Sequence, residues 1–214
     1  MSMIRMTALG IVLAGALAAA GCVKETRPVP VLQATQATAE IPSEQLLDVG
    51  VHILDPGIPP EVEDDPELQD KKRIWPDIRR AEARYIAMQL RDTLEETGHW
   101  GTARVVPTSV SSFDLTVDGT IVESNGAVLK LEVTARDATG KLWIEKKEYE
   151  GRADTRVYRD NYTYDRDPFE NVYVAIANDL LADQGDLGLD DGARGPGRRR
   201  AHGVIEEVLE HLLA

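Results

Sequence analysis

Apolar and polar residues change rhythm several times along this chain, and each change marks an element. In "LLDVGVHIL" the residues Leu47, Val49, Val51 and Ile53 alternate with Asp48, Gly50 and His52. That is the period of a half-buried strand, and it puts His52 on the polar, solvated side. "DPGIPP" ends the strand. The acid-rich stretch "EVEDDPELQD" follows; it lacks the Asp-x-Asp-x-Asp-Gly spacing of a calcium loop and is broken by Pro66, so it reads as a solvated loop.

The spacing then lengthens to three and four. Ala83, Ile86, Ala87, Leu90 and Leu94 fall within ~100° of one another on a helical wheel, predicting a helix over 76–97 with Pro76 in its first turn and Gly98 as its stop. A second, thinner apolar patch, Ile78, Ala81, Tyr85 and Met88, lies on another side of the same helix, with Arg80, Arg84 and Arg91 between the two. "ARVVP" gives a short strand. Period two then returns: Phe113, Leu115, Val117 and Ile121 alternate with polar residues, "SNG" turns the chain, and Leu129, Leu131, Val133 and Ala135 alternate in their turn. A second turn at "DATG" leads to "KLWIEKKEYEG", so 113–151 reads as a three-stranded antiparallel meander with one polar face. Its last strand carries the lysines and glutamates of an exposed edge.

"RVYRDNYTYDRD" is a polar loop holding Tyr158, Tyr162 and Tyr164. Asp167, Pro168 and Glu170 form a helix start, and Phe169, Val172, Ile176 and Leu180 mark the buried stripe of a second helix ending near Asp183. After a Gly/Arg-rich linker, "VIEEVLEHLLA" is amphipathic but short, and needs a surface to lie on. Together these elements predict an α+β fold of one domain: an antiparallel or mixed β-sheet, built as βαβ followed by a β-meander and a helix, with two helices packed on it and a short C-terminal helix.

Composition adds boundaries. Residues 1–21 hold one charge, Arg5, and an apolar run from Ala8 to Ala20, the pattern of a secretory signal peptide too short and Ala-rich for a membrane span. "AAAGC" reads as a lipobox, with Cys22, the single cysteine, as the acceptor of a lipid. A lipid with several acyl chains, at ~0.8 kcal/mol per buried CH₂, anchors a protein permanently. Val23 after the cysteine favours the outer membrane, on its periplasmic face. Residues 22–45, rich in Pro, Thr, Ala and Gln, read as a lipid-anchored flexible tether, 46–183 as the α+β domain, 184–203 as the linker and 204–214 as the C-terminal amphipathic helix.

The whole chain has a formal net charge of -13 over 214 residues. Losing residues 1–21, and with them Arg5, makes it -14. A body this acidic repels phosphate, and its one basic cluster, Arg198 to Arg200, stands in a Gly-rich stretch, so nucleic acid is excluded as a partner. No nucleophile elbow, His-Glu-x-x-His pair, Walker loop or dinucleotide fingerprint occurs, and His52, His99, His202 and His211 are scattered. The expectation is a non-enzyme with no catalytic residue, no metal site and no cofactor. The candidate sites are then Cys22 for the lipid, Ile78, Ala81, Tyr85 and Met88 as a partner surface, and Tyr158, Tyr162 and Tyr164 as a ligand loop.

The stretches "IWPDIRRAEARYIAMQLRDTLEETGHWGTARVVP", "FDLTVDGTIVES", "LKLEVTARDATGKLW" and "VYVAIANDLLAD", behind a lipobox and a Pro/Thr tether, resemble the ABC-type transport auxiliary lipoproteins. The N-terminal domain of the translocation protein TolB and the curli secretion lipoprotein are similar at the level of fold. The resemblance spans 46–183, rests on alternation patterns, and implies a non-enzymatic accessory component of an envelope transport or assembly complex, held to the membrane through Cys22 and bound to a protein partner. The alternative is a periplasmic glycan- or lipid-binding, or hydrolytic, module that uses the tyrosine loop.

Overall fold

The computed structural model describes residues 30–110, 112–153 and 167–186. Cys22, the three loop tyrosines and the stretch 204–214 lie outside the described residues. Five strands, β1 (Val49–His52), β2 (Ala103–Val106), β3 (Leu115–Ser124), β4 (Val128–Asp137) and β5 (Leu142–Arg152), form one mixed sheet in the order β2-β1-β3-β4-β5. β1 pairs in parallel with both β2 and β3, setting Val49 against Ala103 on one side and Leu115 on the other, while β3, β4 and β5 form the expected antiparallel meander. The fold is therefore α+β, and of the antiparallel or mixed sheet expected it has the mixed one.

Among the described residues four α-helices accompany the sheet: α1 (Pro60–Glu63), α2 (Pro66–Lys72), α3 (Pro76–Thr97) and α4 (Glu170–Asp186). α3 packs on β1 and β2, α4 packs on β5, and the two long helices touch each other. Val51, Leu115, Val117, Leu131 and Val133 from the sheet meet Ile86, Leu90 and Leu94 of α3 and Ile176 and Leu180 of α4 in one buried cluster. α3 begins at Pro76 and stops where Gly98 takes a left-handed φ of 71°, a conformation open to glycine at little cost. α4 is capped as its sequence implies, the Asp167 carboxylate accepting the Phe169 N–H at 2.7 Å, but it runs three residues past the expected end at Asp183. The first part of the expected 184–203 linker is thus helical.

Three expectations need correcting. The acidic stretch is not loop throughout: it folds as α1 and α2, with Asp65 accepting the N–H groups of Glu67 and Leu68 at 3.0 Å each. Lys72 and Arg80 hold Glu61 and Glu63, so the acids are neutralised in part by cations that the fold brings back to them.

The tether ends sooner than 45. From Pro30 onward the chain is bonded to the domain, Asn171 and Asn178 of α4 holding its backbone at 30–35 and the Thr97 carbonyl taking the Ala37 N–H at 2.8 Å. Backbone polar groups at this edge find partners that a low apolar content does not announce.

β1 is buried on both faces, not one. The connection from β2 to β3 crosses its outer side, bringing Phe113 so close to Gly50 that a Cβ there would meet the ring at 2.5 Å. His52, expected in solvent, is covered by the same connection and is 6% exposed.

Candidate interaction face on α3

The repeat that builds the core side of α3 builds its opposite side as well. Ile78, Ala81, Tyr85 and Met88 recur at three- and four-residue intervals, so they form one stripe of about three turns. All four are exposed: Ile78 to 54%, Tyr85 to 50% and Met88 to 46%, with Ala81 between them. Trp75, just before the first turn, is exposed too and donates its indole N–H to Asp70 at 3.2 Å, fixing the ring at the end of the stripe. Arg80 pairs with Glu63 and, at 3.4 Å, with Asp77, and Arg84 is exposed beside Tyr85.

Two contacts hold this half of the helix. Arg79, missed in the sequence because it looks like one more surface arginine, is buried; its Nη2 donates to the Ser124 carbonyl at 3.3 Å, tying α3 to the turn between β3 and β4. Its Nε lies 3.5 Å from Glu82. The Tyr85 hydroxyl donates to Asp167 Oδ2 at 2.9 Å, and Asp167 is also the cap of α4. Burial pushes the Tyr85 phenol up to about 12, with the Asp167 carboxylate adding to the rise. The neutral, donating hydroxyl is therefore kept across the physiological range.

Asp167, the first described residue after 153, thus lies at the exposed stripe. Tyr158, Tyr162 and Tyr164 themselves lie outside the described residues. At the other flank the Ala153 N–H is bonded to the Ala127 carbonyl at 2.9 Å, beside the turn that Arg79 holds.

His52 has the geometry of a structural ion pair. Nδ1 lies 2.7 Å from Asp118 Oδ1 and Nε2 lies 2.8 Å from the Val110 carbonyl. Both partners are acceptors, so the protonated ring, donating from both nitrogens, is the form that satisfies both. Burial works against that charge, but the bonds to Asp118 and Val110 outweigh it and the pKa is raised. A ring with both nitrogens donating has no lone pair to offer as base or ligand.

Among the described residues no group of three or more His, Cys, Asp or Glu converges as a metal site, and no helix is long and apolar enough to cross a membrane. A surface hollow of about 400 Å³ lies between β5 and α4, lined by Trp143, Lys147, Asp179 and Asp183, and shares no residue with the stripe.

No family model matches the chain, and no curated protein matches it. Among solved structures, it is similar to protein XCC0632 from Xanthomonas campestris, of family DUF330, at 9% identity and a TM-score of 0.40 over 76% of this chain and 96% of that one. It is also similar to PelC from Paraburkholderia phytofirmans, crystallised as a dodecamer, at 13% identity and a TM-score of 0.34 over 71% of this chain and 93% of that one.

Proposed function

We propose that this chain is a non-enzymatic accessory protein of the cell envelope, anchored to the outer membrane through a lipid on Cys22 and docking a protein partner on the outer face of α3. The observation that carries the reading is the stripe of Ile78, Ala81, Tyr85 and Met88, exposed on a helix whose other side is fully used by the core. Large side chains left in water in a row mark contact surfaces more often than scattered ones do. Tyr and Met suit such a role, one offering a rigid ring with a polar tip and the other an adaptable thioether. The flanking arginines add charge at the rim, where it steers encounter with an acidic partner surface.

The anchor rests on "AAAGC" and on the apolar run before it. Its test is Cys22→Ser, which should leave a precursor that is neither acylated nor cut; normal processing and normal membrane association in that variant would remove this part of the reading. The docking face is tested by a photo-crosslinking residue at Met88, with Lys147 on the edge strand β5 as the control position. A discrete crosslinked protein at Met88, lost when Ile78→Glu is added while the circular dichroism and melting curve stay unchanged, is the expected result. Equal, diffuse crosslinking at both positions would overturn it.

A further inference from the structure

The chain between the proposed anchor and the domain is held by two asparagines in a way that suggests a second interaction surface. Asn171 accepts the Leu32 N–H at 2.8 Å and donates to the Pro30 carbonyl at 2.7 Å. Asn178 repeats the arrangement, accepting from Thr35 N–H at 2.9 Å and donating to the Gln33 carbonyl at 3.1 Å. In an extended chain the carbonyl of one residue and the N–H two residues on point to the same edge. Each side-chain amide therefore reads one edge of an extended backbone, as a neighbouring strand would.

The two amides are also in register. Seven residues of helix separate them, a rise of ~10.5 Å. The pairs they hold are three residues apart, which spans ~9–10 Å of extended or polyproline-like chain. Val174, on the same face between the two asparagines, is 3% exposed although it lies outside the main core cluster. The strap is bonded to α4 on either side of it. None of the four bonds involves a side chain of the strap, so this face of α4 selects a conformation rather than a sequence.

We infer that the Asn171/Asn178 face of α4 is an extended-peptide site whose occupant is the chain's own residues 30–35, and that it acts as a releasable clasp giving the membrane tether two lengths. Four neutral hydrogen bonds hold it, Val31 and Leu32 remain exposed, and the backbone of six residues must be ordered to close it. The balance between these is small, so the open state is within reach. Closed, the clasp leaves eight residue steps from Cys22 to Pro30, at most ~27 Å of chain. Open as far as the Ala37 bond to Thr97, it leaves fifteen steps and at most ~50 Å.

Direction follows as well. The strap enters beside Asn171, one turn beyond Asp167, which binds Tyr85. A closed clasp holds the pole bearing the α3 stripe toward the membrane, and an open one lets it swing away. The leash lengths rest on the Cys22 reading; the clasp itself does not.

The test compares the full acylated chain with Asn171→Ala/Asn178→Ala and with Asn171→Asp/Asn178→Asp, in detergent and in vesicles of phosphatidylethanolamine and phosphatidylglycerol. Amide exchange at Leu32 and Thr35 should be slowed about tenfold relative to Gln36, a modest protection of the size a small balance gives. The alanine pair should abolish that protection while the amides of Val117 and Leu131 are unchanged, and the aspartate pair, which keeps the acceptors, should retain part of it. Leu32 and Thr35 exchanging as fast as Gln36 in the parent, or staying protected in the alanine pair, overturns the clasp. In vesicles, energy transfer from a dye on Ala138→Cys to labelled lipid should fall when the clasp is opened. Unchanged transfer after protection is lost overturns the two lengths. A parent chain that fails to float with vesicles overturns the anchor and the leash with it, while exchange in detergent still decides the clasp.

Discussion

α3 and α4 lie side by side on one face of the sheet, and their outer sides have opposite fates. α3 spends one stripe on the core, through residues such as Ala83, Ile86, Leu90 and Leu94, and leaves Ile78, Tyr85 and Met88 in solvent. α4 is buried through three consecutive positions, Val172, Tyr173 and Val174, which no single helix face can supply. The difference is in what lies beyond each helix. α4 has the chain's own residues 30–35 across it, whereas the stripe of α3 is exposed to solvent. β1 follows α4: the connection 107–114 covers its second side through Phe113 and the Val110 carbonyl. This molecule closes its second surfaces with short lengths of its own backbone, and the α3 stripe is the surface so treated least.

The strongest check on that comparison removes what the helices share. Leu94→Ala on α3 and Leu180→Ala on α4 each empty a fully buried position in the same cluster. Each should lower unfolding free energy by about 2–5 kcal/mol in urea or guanidinium titration. Ile78→Ser and Met88→Ser, one helix face away, should stay within about 0.5 kcal/mol of the parent. A cost at Met88 near that at Leu94 would mean that the stripe is covered and that the contrast between the helices is false.

Next in size is the cover over β1. Asp118→Asn weakens the bond that keeps His52 charged and should cost about 1–2 kcal/mol at pH 6, less than a dry ion pair because the aspartate is half exposed. The pH dependence carries the sign. The His52 pKa is raised by folding, so its contribution is complete below the unfolded value near 6.5 and is lost as pH rises through the higher folded value. Urea midpoints of the parent should therefore drift downward above pH 6.5, and the variant should drift less. Identical slopes would show that the ring nitrogens are not both protonated.

Much of the architecture was legible because the buried layer repeats at two and at 3.6. Leu115, Val117, Leu131 and Val133 sit where alternation puts them, and the stripe on α3 was visible as its own period. His52 escaped because alternation reports one neighbour at a time: a central strand beside a covering connection is buried on its polar phase too. α2 escaped although Asp65, Pro66 and Glu67 repeat the Asp-Pro start that identifies α4 at Asp167 and Pro168. The run of acids around it hides that start among charges. Asn171 and Asn178 gave no signal apart from their spacing of seven, which any polar helix edge shows, and their meaning lies in the strap that meets them.

A smaller effect separates the two helix starts. Asp167→Ala removes both the cap of α4 and the acceptor of Tyr85, and should cost about 1 kcal/mol by the usual value of a cap. Tyr85→Phe removes only the bond across to α3 and should cost less, since the Asp167 carboxylate can turn to water once the hydroxyl is gone. If Tyr85→Phe equals Asp167→Ala, the cap is idle and the inter-helix bond carries the whole effect.

The finest test reads that bond without unfolding anything. The Tyr85 phenol is pushed up to about 12 by burial and by Asp167, so its hydrogen bond is fully present below the ordinary tyrosine value near 10 and disappears as pH rises through the higher folded value. Phenolate absorbance, taken as the difference between the parent and Tyr85→Phe, should show one tyrosine titrating late. Asp167→Asn should bring it earlier by withdrawing the negative charge, while burial holds part of the shift in place. A partner seated on the α3 stripe would bury the ring further and move the midpoint later still, so the same absorbance turns Tyr85 into a reporter of whether that face is covered. A midpoint at 10 in the free protein would place Tyr85 fully in water, break its link to α4, and leave the stripe without the residue that ties it to the rest of the fold.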